Sequence, residues 1–442
     1  MKTFNKRIGF IISAQHLIPH GGIGQFAKGL IEMLDEYQID IILDKAPASS
    51  EFVELLAGKD NVKLIYPPQP LSSQKHTKVH AFSETLNLER IINFRDSLML
   101  ALQTQIYDTI IINTPEALFS TYALGIQKFV QIVFYTHNEN LVFKDASFAG
   151  VFNDSYDEII GQSMRSDGIT VGTQTPRNLD ELVGIKSKAW LPMPIPERDL
   201  LTPSIIEKSG VLFIGRWEER KNPKEFLRLI EETGLPAKVM TNENGAKSFE
   251  AALSKLGVPY EIKASIIGKE KVDFIKSAKV FYMPSKSESY GFALMEAIGH
   301  THSIVLEEYP WHKNFDPTFI NVSAKKDVAS LTKRLYNTPV HTANIDYVRS
   351  LDDQCKSIWV DFIESFNPKQ STSNSANITK HDEVLYADFI SSLGRFASIE
   401  DVISVLSNRH KFTVSHSKEG TFLSKSGKTI QKSEGISFDD IF

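Results

Sequence analysis

Two glutamates eight positions apart, Glu288 and Glu296, frame the run Glu288-Ser-Tyr-Gly-Phe-Ala-Leu-Met-Glu296. Carboxylates accept hydrogen bonds from sugar and ribose hydroxyls, while nearby backbone N–H groups bind phosphate. Such a pair therefore suits a neutral, hydroxyl-rich ligand that carries a phosphate. On spacing alone it also fits the solvated start of a helix, so the surroundings decide. Upstream, Gly215-Arg216 and, after Trp-Glu-Glu-Arg, Lys221 offer two cations at a strand end. Two fixed cations at such an edge suit an anionic group such as a phosphate. The plain alternative is an exposed basic turn.

These side chains need a strand–turn–helix frame. Val280 to Met283 reads as a short apolar strand, Ser285 to Ser289 as a polar turn, and Tyr290-Gly291 as the opening of a helix that continues through Phe292. This places Glu288 at the carboxyl end of a strand, where open α/β sheets bind ligands. Val211 to Gly215 is a strand that delivers Arg216 to the same edge. Gly21-Gly22-Ile23-Gly24 lies between the first strand (Arg7 to Ser13) and the first helix (Gly24 to Tyr37), and its glycines allow close backbone approach to a ligand at a helix N-terminus. It lacks the dinucleotide glycine pattern, and only Asp44 keeps a hydride-transfer reading alive. Tyr135-Thr136-His137-Asn138-Glu139 leaves another strand. His137 is there either a structural histidine or a group that bonds a transferred sugar or holds an acceptor.

Around these motifs, apolar runs alternate with amphipathic segments. The runs are Ile39 to Asp44, Val62 to Tyr66, Thr109 to Asn113 and Phe129 to Thr136, then Ala237 to Thr241, Tyr260 to Ala264 and Ser303 to Leu306. Helices are expected at Pro223 to Thr233, Ala246 to Leu256, Val272 to Ser277 and Tyr347 to Phe366. The alternation predicts parallel sheets with helices on both faces. We expect an N-terminal Rossmann-like domain over residues 1–200, a second over 201–366 ending in a crossing helix, a polar linker at 367–380 and an accessory α+β module at 381–442. The module reads as two short helices and a β-hairpin over Lys411 to Ile430. The chain has 442 residues, 42% hydrophobic and 23% charged, with a formal net charge of −5. That charge argues against wholesale coating of nucleic acid and leaves local basic patches open. A single cysteine, Cys355, excludes an internal disulfide and a cysteine-based metal cluster. Without a signal-peptide core or a stretch of membrane-spanning length, a cytoplasmic location is expected.

The Glu288–Glu296 run, with its central Gly-Phe, resembles the donor-site motif of retaining glycosyltransferases of the GT-B fold. The resemblance implies two doubly wound Rossmann-like domains facing across a cleft. It implies that Glu288 holds hydroxyls of the transferred sugar, that Glu296 holds the nucleotide ribose, and that Arg216 and Lys221 hold the donor diphosphate. Gly22, Ile23, Gly24, Tyr290, Gly291 and Phe292 complete the expected donor site. A UDP-sugar is the expected donor substrate, with no tightly bound cofactor and no metal. On this basis Glu288→Ala is expected to abolish transfer and leave the fold intact.

The runs DTIIINTPEA, IVFYTHNEN, FIGR and KVMTNENGAKSFEAALSKLGVPYEIK, with Gly22-Ile23-Gly24, together resemble the DNA α-glucosyltransferases of T-even phages. That resemblance implies a 5-hydroxymethylated base in double-stranded DNA as acceptor, bacteriophage DNA modification as the role and the host cytoplasm as the place. The chain has Asn138 where those enzymes have an acid, so no acidic role is carried over to that position. A DNA acceptor must be gripped through its phosphates and its target nucleotide turned out of the stack. Lys75 and Lys78, with His76 and His80, lie in the polar insertion Pro67 to His80. Lys411, Lys425 and Lys428 lie in the C-terminal module, whose end GKTIQKSEGISFDDIF faintly resembles small modules that end plasmid relaxases. These lysines are candidate DNA contacts, against the alternative of solvated faces. Two further readings remain open: a glycosyltransferase acting on a cell-surface glycan, and a non-catalytic DNA-binding protein on a GT-B scaffold.

Overall fold

Continuous apolar runs such as FYM in Val280 to Met283 are what a strand covered on both faces requires, and the chain uses them twice to build a parallel sheet. A computed structural model describes residues 6–18, 21–67, 88–124, 126–128, 130–136, 164, 167–176, 179, 182, 184–288, 290–340, 343–365, 413–417, 420–425 and 428–430. The chain divides into two compact units.

The first unit contains the described residues of 1–17, 35–191 and 360 onwards. Its sheet comprises β1 (Arg7–Ile12), β2 (Gln38–Leu43), β3 (Val62–Ile65), β4 (Thr109–Ile112), β5 (Gln131–Tyr135), β6 (Ile169–Thr173) and β7 (Lys188–Trp190). All neighbours are parallel, in the order β3-β2-β1-β4-β5-β6-β7. Helix α1 (Gly22–Met33) follows β1 in sequence, yet residues 18–34 belong to the second unit. Helices α2 (Glu51–Ala57), α3 (Leu88–Thr104) and α4 (Pro115–Leu124) stay in the first. Asp44, at the end of β2, is buried; its carboxylate accepts from the Ala14 N–H at 2.8 Å and from the Ser13 hydroxyl at 3.2 Å. It thus braces the loop after β1.

The second unit contains residues 18–34 and 192–359. It runs β8 (Ser209–Ile214), α5 (Pro223–Thr233), β9 (Ala237–Thr241), α6 (Glu243–Leu253), β10 (Tyr260–Ala264), α7 (Gly268–Lys276), β11 (Ala278–Met283), α8 (Phe292–Ile298), β12 (His302–Leu306), β13 (Asn321–Ser323), α9 (Val328–Tyr336) and α10 (Ala343–Ser365). The parallel strand order is β10-β9-β8-β11-β12-β13, the Rossmann order. Successive strand residues point to opposite faces. Val280 and Tyr282 pack with Phe226, Leu229 and Phe249 of α5 and α6, while Phe281 and Met283 pack with Ile275, Leu294 and Val348 of α7, α8 and α10. Pro223 opens α5 at its first turn, where a missing N–H costs nothing, and Gly234 ends it in the left-handed conformation.

Helix α10 begins in the second unit and its residues from Val360 belong to the first. There Glu364 accepts a hydrogen bond from the Tyr37 hydroxyl at 2.9 Å and pairs with Lys6 at 3.0 Å. Near the C-terminus the expected hairpin is a three-stranded antiparallel sheet of β14 (Thr413–Ser417), β15 (Gly420–Lys425) and β16 (Lys428–Ile430). The third strand, β16, pairs with β15 beyond the expected two-stranded hairpin.

Candidate functional site

The order of the second sheet contains one reversal. From β8 the chain proceeds outward to β9 and β10, then returns to lay β11 on the other side of β8, with Val211 paired to Val280. The carboxyl ends of two strands at such a reversal are the usual ligand position of an open α/β sheet. The loop after β8 carries Arg216, Arg220 and Lys221; the loop after β11 carries Glu288.

Backbone bonds stitch the two loops together. The Lys286 N–H donates to the Arg220 carbonyl at 2.8 Å, and the Asn222 amide donates to the Pro284 carbonyl at 3.2 Å. Asn222 holds a left-handed backbone with φ 55°, which turns the chain into α5. On this frame the Lys221 ammonium lies 2.5 Å from Glu288 Oε1. Arg220 reaches Glu288 Oε2 at 3.4 Å and donates to the Ser287 carbonyl at 3.1 Å and to Glu218 at 3.2 Å. Burial alone would raise the Glu288 carboxyl, but Lys221 and Arg220 together outweigh it and hold the group below its ordinary range. Glu288 is 7% exposed, so the pair is largely withdrawn from water.

Arg216 stands apart. Its side chain is 38% exposed, and its guanidinium meets Glu218 at 3.3 Å. Of the sequence-derived cations, Lys221 is thus tied to Glu288, whereas Arg216 is placed on the same loop with a looser tether. Arg220 was missed by sequence reasoning. Its signal was its position next to Lys221 in Trp-Glu-Glu-Arg-Lys, where two adjacent cations leave one turn.

Glu296 has a different partner. It lies on α8, 4% exposed, and its Oε1 accepts from Lys271 Nζ of α7 at 2.6 Å. Burial raises its carboxyl above the ordinary range while Lys271 opposes the shift. Lys271 also donates to Gln25 Oε1 of α1 at 3.0 Å. The signal for Lys271 lay in helical spacing: it shares a face with the buried Phe274 and Ile275, an apolar stripe where a lysine is unusual.

The remaining residues expected at a donor site also fall within this unit. Gly21 caps α1 and Gly22 begins it; Ile23 is partly buried and Gly24 buried. A Cβ on Gly22 would sit 4.0 Å from the Phe292 ring, so the glycine-rich start of α1 lies beside the start of α8. Gly291 caps α8 with φ 99°, and a side chain there would lie 3.2 Å from Trp311 and 3.3 Å from Phe315. Tyr290 packs its ring 5.5 Å from Phe315 and 6.1 Å from Phe292. His137, Lys75, Lys78 and Lys411 lie outside the described residues. Lys425 and Lys428 end β15 and begin β16, and are register partners across that turn. Among the described residues, no group of three or more His, Cys, Asp or Glu is placed to hold a metal ion, and no helix is long and apolar enough to cross a membrane.

Two parallel Rossmann-type sheets in one chain, with ion-paired loops at the switch point of the second, define an α/β protein with the GT-B fold. Solved structures bear this out. Sucrose-phosphate synthase from Thermosynechococcus elongatus matches with a TM-score of 0.56 at 15% identity, over 88% of this chain and 100% of that one. An E. coli trehalose-6-phosphate protein solved with UDP-2-fluoro glucose matches with a TM-score of 0.57 at 11% identity, over 82% and 99%. Anabaena Alr3699/HepE, in complex with UDP and glucose, matches with a TM-score of 0.55 at 11% identity, over 82% and 98%. No protein-family model matches the chain, and no curated protein matches its sequence.

Proposed function

We propose that this protein is a retaining glycosyltransferase that moves a sugar from a UDP-sugar to the 5-hydroxymethyl group of a modified pyrimidine in double-stranded DNA. The observation that carries the transferase reading is the Lys221–Glu288 ion pair, braced by Arg220, at the switch point of a Rossmann sheet. A fixed cation and a fixed carboxylate at one switch point match the two needs of the reaction, a place for diphosphate charge and an acceptor for sugar hydroxyls. The UDP and UDP-2-fluoro glucose in the similar structures support the choice of donor.

In this reading the acceptor hydroxyl oxygen bonds to the anomeric carbon on the face from which UDP departs, through an oxocarbenium-like state. The bond from that carbon to the diphosphate oxygen breaks, and the hydroxyl proton passes to the departing diphosphate. Arg216, with its partly exposed side chain, and Lys221 bind the diphosphate. Glu288 orients the sugar hydroxyls, Glu296 bonds the ribose hydroxyls, and His137 contacts the sugar or the acceptor. The acceptor rests on the resemblance carried by the strand and turn runs quoted above, with Lys75, Lys78, Lys411, Lys425 and Lys428 as DNA contacts.

The test is incubation with UDP-glucose and UDP-arabinose, with and without hydroxymethylcytosine DNA, followed by mass analysis of the digested nucleosides. A sugar-plus-nucleoside mass is the expected result and identifies the sugar. Donor hydrolysis without base modification would move the acceptor to a glycan. No turnover of any donor, with DNA still bound, would leave a non-catalytic scaffold.

A further inference from the structure

Beneath the donor-site helix lies a buried cluster of four charges. Lys271 and Glu296 form one pair; Lys28 of α1 and Glu197 form the second, with Lys28 also donating to the Pro196 carbonyl at 2.9 Å. Glu197 Oε1 makes no hydrogen bond and lies 3.9 Å from Lys271 Nζ, so the two pairs are adjacent. Glu32 approaches Lys28 at 3.8 Å from the rim, and Gln25 accepts from Lys271. All four charged side chains are 6% exposed or less.

We propose that Lys271 is a positioning residue of the donor site, which keeps the Glu296 carboxylate ionised and aimed so that it can accept hydrogen bonds from the nucleotide ribose. The inference rests on the reading of Glu296 as the ribose-binding acid. A carboxyl buried to this depth takes up a proton unless a cation stands against it, and a protonated carboxyl loses much of its capacity to accept. Lys271 is the cation in contact. The groups facing Glu296 come from three directions: Lys271 on α7, Gln25 and Lys28 on α1, and Glu197 on the segment before β8. Lys28 is engaged by Glu197, so it offsets that acid and leaves Lys271 to serve Glu296. A lysine whose role was packing alone would have no reason to place its ammonium 2.6 Å from this particular acid and on the α1 amide as well.

The test is UDP-glucose affinity measured by calorimetry from pH 5.5 to 8.5, with thermal unfolding as the fold control, on the full chain and on Glu296→Gln, Lys271→Met and Lys271→Arg. Lys271→Met is expected to weaken binding by about tenfold near pH 7, with affinity recovering as pH rises, because Glu296 must then ionise without a partner. Glu296→Gln is expected to weaken binding with no such pH dependence, and Lys271→Arg to keep the flat profile of the unaltered protein. Unchanged affinity in Glu296→Gln would remove the ribose role itself and the inference with it. Weakened binding in Glu296→Gln, alongside an affinity and pH profile in Lys271→Met equal to those of the unaltered protein, would overturn the inference and leave the ribose role standing. Should Lys271→Met not fold, the unaltered protein decides: binding of UDP-glucose at neutral pH in buffers of different ionisation enthalpy is expected to release no protons. Release of about one proton per ligand would mean that Glu296 is protonated in the free protein and would refute the proposal.

Discussion

Glu288→Gln separates the chemistry of the site from its contribution to stability. In Glu288→Ala the carboxylate disappears and Lys221 is left buried without its partner, a change that costs about 3–5 kcal/mol when one half of a buried pair is removed. Set against a total stability of roughly 5–15 kcal/mol, that loss would depress activity through unfolding alone. The expectation that the alanine variant keeps its fold intact is therefore altered by the 2.5 Å contact to Lys221 and the 3.4 Å contact to Arg220. Glutamine keeps an acceptor oxygen in the same place and loses only the charge. Lys221 keeps an acceptor but loses its counter-charge, so the stability cost lies between the roughly 1–2 kcal/mol of exchanging a charged for a neutral hydrogen bond and the cost of the alanine variant. The catalytic cost is larger: loss of one preorganised group in a water-excluded site lowers kcat by about 10²–10³-fold, or roughly 2.7–4 kcal/mol. UDP release from UDP-glucose reads the rate, and urea denaturation reads the fold. Full kcat/KM in a folded Glu288→Gln protein would refute the assignment of this cluster to catalysis. A rate loss that matches the fraction unfolded would refute it as well.

Two further outcomes follow from neighbouring features. His300, 2% exposed and bonded to the Leu200 carbonyl at 2.8 Å, has its pKa lowered by burial from 6.5 to about 4. A depressed pKa means that the unfolded chain binds the extra proton first, so the stability present above pH 6.5 is lost as pH falls towards 4, by at most about 3 kcal/mol. His300→Gln should flatten that slope in urea denaturation across this range; an unchanged slope would show that other groups set it. Gly291→Ala should lower the unfolding free energy by about 1–3 kcal/mol, because a left-handed backbone must then carry a Cβ against Trp311 and Phe315. A thermal midpoint equal to that of the unaltered protein would show that the turn relaxes freely.

The parts of this architecture legible in the sequence were those whose signal is local. Helix Pro223–Thr233 and strands Ala237–Thr241 and Tyr260–Ala264 occupy the spans that periodicity and, for the helix, Pro at the first turn prescribe. The loop carrying Glu288 was placed correctly because a strand, a polar turn and a glycine follow one another within a few residues. Strands Ile169–Thr173, Lys188–Trp190 and Asn321–Ser323 escaped, since five residues containing glycine, or three residues at a sheet edge, carry little periodicity. The partners of Glu296 escaped for another reason. Gln25 and Lys271 are 246 positions apart, and no pattern within a helix specifies a hydrogen bond at that range. Arg220 was visible as a residue, but its role depends on the Ser287 carbonyl and Glu288, which only folding brings to it.

Helix α1 also has a place in the order of synthesis. It is made between two strands of the first unit, while Glu197, which receives Lys28, is 169 residues downstream and Lys271 is 246 residues beyond Gln25. At roughly 5–20 residues per second, the interval before Lys271 is made is on the order of 10–50 seconds. Throughout that time Phe26, Ala27, Leu30 and Ile31, all buried in the finished protein, await most of the unit they will join. A fragment beginning at Pro192 would never receive them, nor the Gln25 and Lys28 side chains that close the charged cluster. The second unit is thus encoded in two separate stretches, and its completion waits on the synthesis of the later one.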